Sequence, residues 1–104
     1  MIFKRINVWI DRTSRRAKRQ EIAEAIAINL TVKKRSEPHE TEFAWESSDS
    51  RYLNPFRRSI DTLQALLSLE RRVRHNMNDE GLHPASVIAN LANGELKVTI
   101  RFNL

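Results

Sequence analysis

Residues 13–32, TSRRAKRQEIAEAIAINLTV, carry two periodicities at once, and the fold turns on which of them the chain obeys. Ile22, Ala25 and Ile26 fall at helical spacing, which predicts a helix over residues 13–25. From there Ile26, Ile28, Leu30 and Val32 alternate with other residues, the period of a half-buried strand. No Gly or Pro marks the end of the helix, so one long strand from about Glu21 is the alternative. In TEFAWES, residues 41–47, Phe43 and Trp45 fall on one side and Glu42, Ala44 and Glu46 on the other. With SEPH, residues 36–39, between them, the two alternating runs read as a β-hairpin.

The end of the chain is plainer. In ELKVTIRFNL, residues 95–104, Leu96, Val98, Ile100, Phe102 and Leu104 alternate with Glu95, Lys97, Thr99, Arg101 and Asn103, which predicts a strand. IFKRINVWI, residues 2–10, is rich in β-branched and aromatic residues and reads as a further strand, with the C-terminal strand beside it inside the sheet. The longest helix is expected to start with Asn54 as N-cap and Pro55 at the first position. Its apolar side is Phe56, Ile60, Leu63, Leu66, Leu67, Val73 and Met77, and NMNDEG ends it. A short helix opened by Pro84 and closed by Asn93-Gly94 follows, with Val87, Ile88 and Leu91 on one side. The order β-α-β-β-α-(α)-β is that of an α+β, ferredoxin-like four-stranded antiparallel sheet with helices on one face, expected as a single domain over residues 1–104.

Composition narrows the function classes. The 104 residues, 40% of them hydrophobic, suffice for one modest core. No run is long and apolar enough to cross a membrane, and the N-terminal stretch lacks the h-region of a signal peptide, so the expectation is a cytoplasmic protein without a membrane partner. The chain has no Cys, which excludes disulfides and thiolate chemistry. Its net charge of +5 and pI near 10.2 favour an anionic partner. The charge is segregated. Basic clusters stand at Arg12 to Arg19, at Lys33-Lys34-Arg35 and at Arg71-Arg72-Arg74, whereas the residues between Arg35 and Arg51 hold Glu37, Glu40, Glu42, Glu46 and Asp49 and no Lys or Arg.

No nucleophile signature and no cofactor motif is present, so the reading is non-enzymatic, with no catalytic residue and no metal. His39, His75 and His83 are too scattered to ligate a metal together. Glu95-x-Lys97 has the spacing of a nuclease carboxylate and lysine, but the second acid such a site needs has only Asp11 as a candidate.

Two resemblances attach to particular residues. Phe43-Ala44-Trp45 resembles the third strand of the RNA-recognition motif, whose aromatics stack bases on the open face of the sheet. The basic residue and Gly expected before Phe43 are Thr41 and Glu42 here, Glu46 replaces an apolar position, and a core role for Phe43 and Trp45 carries the greater weight. SIDTLQALLSLE, residues 59–70, resembles a helix of a family of small uncharacterised bacterial proteins with an Asp-x-Leu-Gln-Ala-Leu run. That resemblance implies a fold and a bacterial setting, and proteins of this size and kind are often immunity or inhibitor proteins.

The partner-binding candidates are then two. The basic patch is Arg12, Arg15, Arg16, Lys18 and Arg19, and the acidic hairpin is Glu37, Glu40, Glu42, Glu46 and Asp49. A helix beginning near residue 13 would put the patch at the positive end of its macrodipole, at a cost of about 0.3–1 kcal/mol per cation at low salt. Folding alone does not explain such a placement: either the cluster meets an anionic partner, or it lies in a loop where charge costs little. The expected function is that of an immunity or inhibitor protein that neutralises a protein partner such as a toxin, acting as a monomer or homodimer. The alternative is a nucleic-acid-binding module using Arg12 to Arg19.

Overall fold

The computed structural model describes the chain from Ile2 to Arg57 and from Asp61 to Leu104, with side chains from Arg15 onward. It resolves the ambiguity of residues 13–32 in favour of one helix, α1, spanning Ile2–Ser36. Ile22, Ala23, Ile26, Ala27, Leu30 and Thr31 are buried, a doublet returning every four residues. Ile28 and Val32, which a strand would bury beside Ile26 and Leu30, are 65% and 58% exposed. The alternation was a coincidence of Ile26 and Leu30 belonging to both patterns, while Ala23 and Ala27 belong only to the helical one. Lys33, Lys34 and Arg35 fill the last turn, where cations suit the helix dipole, and Pro38 bars continuation. The expected strands at residues 2–10 and 26–32 are therefore parts of α1. The basic cluster lies in mid-helix and carries no macrodipole penalty.

After the loop comes β1, Glu42–Ser47. Asp49 then caps the short α2, Ser50–Leu53, by accepting the Arg51 backbone N–H, and a 3₁₀ turn at Asn54–Phe56 buries Pro55 and Phe56. The long helix α3 is Thr62–Asp79, so Asn54 and Pro55 start a separate turn and not this helix. Its buried stripe is Ala65, Leu69, Val73 and Met77, with Leu66 half-buried against the core. Leu63 and Leu67, expected in the core, are 67% and 42% exposed, and Ile60 lies outside the described residues.

The final helix of the expected order is a strand, β2, Ser86–Ala92, with Val87 and Ala89 buried and Ile88 exposed. Asn93 and Gly94 both have positive φ, 54° and 71°, so this pair makes the tight turn of a hairpin into β3, Glu95–Arg101, and not a helix cap. The sheet thus has three strands in the order β1-β3-β2, all antiparallel, in place of the expected four-stranded ferredoxin-like sheet. The fold remains α+β. The C-terminal strand is central as expected, but its neighbours are β1 and β2. Leu96, Val98 and Ile100 are fully buried, and Phe102 stays buried beyond the strand end.

α1 and α3 lie side by side and parallel on one face of the sheet. Arg19 reaches the Pro55 carbonyl near the start of α3, and Arg35 pairs with Glu80 at its end. The helices also guard both sheet edges. Lys33 Nζ donates to the Ala44 carbonyl of β1 at 2.7 Å, and the Ala89 N–H of β2 donates to the Glu70 carboxylate at 2.8 Å.

Ile26→Lys and Leu30→Lys should each destabilise by several kcal/mol in a denaturant titration, while Ile28→Lys and Val32→Lys stay within about 0.5 kcal/mol of the parent. Equal losses at all four positions would restore the strand.

Candidate partner-binding groove

The helical period that buries Ile22, Ile26 and Leu30 runs back through Arg19 and Arg15, so the core stripe of α1 turns into guanidinium groups one turn before Ile22. Arg16 and Lys18 are exposed, and Arg15 and Arg19 are half-buried. Arg12 belongs to the backbone of α1, and its side chain lies outside the described residues. Arg16 and Arg19 face Arg72 of α3 across a groove of about 440 Å³, with Gln20, Gln64 and Ser68 between them. An adjoining hollow of about 390 Å³, shared by Ser68, Arg71, Arg72 and His75, prolongs the basic surface along α3.

Among the described residues the groove carries an excess of positive charge, with Asp61 as its one carboxylate. Partial burial is the first cause that lowers the proton affinity of Arg19, and the neighbouring charges of Arg15 and Arg16 lower it further, with Asp61 opposing. None of the ion pairs among the described residues includes Arg15, Arg16, Lys18, Arg19, Arg71 or Arg72. Arg71 and Arg72 were visible in the sequence as a basic run. Their place in this site depends on the parallel packing of α3 on α1, which local pattern does not encode.

The acidic set is dispersed. Glu37 and Glu40 lie in the loop after α1, where Lys34 Nζ holds the Pro38 and Glu40 carbonyls at 2.8 Å each. Glu42 and Glu46 stand on the open face of the sheet, paired with Arg101 at 2.6 Å and Lys97 at 4.0 Å. Asp49 pairs with Arg51 at 2.7 Å, and the hydrogen bonds from Arg51 hold its carboxyl below the usual range. No hairpin gathers these acids, because the strand that was to pair with β1 is helix and β1 pairs with β3.

Phe43 and Trp45 face the helices. Phe43 meets Phe102 edge to face at 6.3 Å between centroids, and Trp45 meets Tyr52 likewise at 5.3 Å. The open sheet face therefore has no stacking platform from these residues, and the likeness to the RNA-recognition motif does not extend to the aromatic surface that family uses. His75 sits 3.4 Å from Asp79, and His83 3.1 Å from Asn78. Among the described residues no group of three or more His, Cys, Asp or Glu is placed to hold a metal ion. Lys97, of the nuclease-like spacing, is turned to Glu46, and the Asp11 side chain lies outside the described residues. No described helix is long and apolar enough to cross a membrane. Comparison with known family models, with curated proteins and with solved structures finds no match to this chain.

Because like charges share the groove, Arg72→Gln is expected to raise the thermal midpoint slightly at low salt. The gain should vanish near 1 M salt, where the Debye length is about 3 Å. A lowered midpoint under both conditions would mean that Arg72 holds the fold together.

Proposed function

We propose that the protein is a non-enzymatic binding protein of the immunity or inhibitor kind, which neutralises an acidic protein partner, such as a toxin in the bacterial cytoplasm, through the basic groove between α1 and α3. The observation that carries this reading is an asymmetry of pairing. Glu42, Glu46, Asp49 and Glu80 each have a cation of this chain within ion-pair reach, while Arg16, Arg19 and Arg72 converge on one groove and enter no ion pair among the described residues. Like charge converging on one groove without an ion pair favours a partner that supplies the opposite sign.

Nucleic acid is the second reading, favoured by the run of guanidinium groups from Arg16 and Arg19 to Arg72 and Arg71. The burial of Phe43 weighs against it by removing a base-stacking surface.

Titration with duplex DNA and RNA separates the two. Binding is expected only at the non-specific level of about 10⁻⁴–10⁻⁶ M at physiological salt. Co-purification with the product of a neighbouring gene, slowed or lost in an Arg16→Glu, Arg19→Glu, Arg72→Glu variant, is the positive result. Submicromolar nucleic-acid affinity that survives physiological salt and disappears in that variant would give the site to the second reading.

A further inference from the structure

The seam between α1 and α3 does not end at the arginines. Farther along both helices it opens into a second hollow of about 400 Å³, lined by Ala27, Ile28 and Val32 of α1 and by Asn76 and Asp79 of α3. Two features of this hollow are unusual for a finished surface. Ile28 and Val32, one turn apart, are 65% and 58% exposed. Asn76 Nδ2 is buried with no hydrogen-bond partner, alone in this among the described residues. A buried donor without an acceptor in the protein is rare in native structures, and a water or a partner's oxygen can fill that place.

We infer that the seam is a docking site for an amphipathic helix of the protein partner, acidic over the half that lies on Arg16, Arg19 and Arg72 and apolar over the half that lies on Ile28 and Val32, where it presents an acceptor oxygen to Asn76. This rests on the acidic-partner reading above and adds the form of the partner. The walls of the seam are two helices whose own backbone groups are bonded internally. A segment lodged there meets side chains alone, and an extended peptide would leave its N–H and C=O groups without partners. A helix satisfies its own, which is the physical basis of helix-in-groove recognition. The charge sets the orientation, since carboxylates belong over the arginines, whereas at the other end Glu24 and Asp79 repel them and Arg35 is already paired with Glu80. Length follows from α1. Arg16 to Val32 is a rise of about 24 Å, which a partner helix of about 16 residues matches.

The test uses the full chain and designed probes followed by fluorescence anisotropy. One labelled 16-residue peptide has Glu on the exposed side of one half and Leu at helical spacing in the other, and it is made in both chain directions. A scrambled peptide of the same composition, an oligo-Glu of equal length and a 20-nucleotide RNA accompany it. One direction of the designed peptide should bind at least tenfold tighter than the scrambled form, gain helical circular dichroism on binding and shift the Asn76 side-chain amide signals in an NMR spectrum. Arg72→Ala and Ile28→Asp should each weaken it at least tenfold, and Lys97→Ala on the open sheet face should not. Equal binding of scrambled peptide and oligo-Glu would overturn the helix while leaving the acidic-partner reading in place, as would indifference to Ile28→Asp. If no acidic probe binds, or if the RNA binds tightest, both fall.

Discussion

Everything in this molecule depends on the contact between the Ile22–Thr31 stretch of α1 and the face made by α3 and the sheet. Ile26 and Leu30 are fully buried there, and Ala23 and Ala27 alternate with them as small residues that let α3 approach. At about 25 cal/mol per Å² of apolar surface removed from water, a stripe of this kind outweighs any single polar contact in the structure. It fixes the axis of α1, and the axis fixes where the guanidinium groups one turn earlier must stand. The basic groove is thus the prolongation of a hydrophobic contact past the point at which the apolar residues stop.

The same contact decides what the sheet can be. With α1 committed to helix, β1 has no hairpin partner before it, and β3 takes the centre between β1 and the β2 hairpin. A three-stranded sheet leaves two edges close to the helices. Lys33 and Glu70 occupy them from either side, each satisfying a backbone group of an edge strand. The open face is then settled by ion pairs, Glu42 with Arg101 and Glu46 with Lys97, around the row Ala44, Thr99 and Ile88. Glu42 and Glu46 find their cations within the sheet, while Arg16, Arg19 and Arg72 of the α1–α3 seam enter no ion pair among the described residues.

The sequence was legible where one physical pattern had no competitor. Residues 95–101 alternate without interruption and are a strand. It was not legible where two patterns shared residues, as Ile26 and Leu30 do between the helical and the alternating reading. Asn93-Gly94 likewise serves a helix end or a hairpin turn, and the alternation of Val87, Ala89 and Leu91, which selects the hairpin, is muted by the small side chain of Ala89. In α3 the true stripe begins at Ala65, a weak signal beside the more hydrophobic but exposed Leu63 and Leu67. For the site, the basic residues of α1 were evident from their density. Arg72 joined them only through parallel packing of helices separated by a strand, information that lies in tertiary contacts.

The groove exists because α1 is one helix lying along α3, which brings Arg16 and Arg19 beside Arg72. Nuclear Overhauser contacts in the uniformly labelled protein test it most directly. The account predicts contacts from the Ala23 methyl to the Ala65 and Leu69 methyls, which line that groove, with sequential amide–amide contacts running unbroken from residue 15 to residue 36. Cross-strand Hα contacts between residues 26–32 and 41–47, with no contact from Ala23 to α3, would contradict it and dissolve the groove on which the binding surface rests.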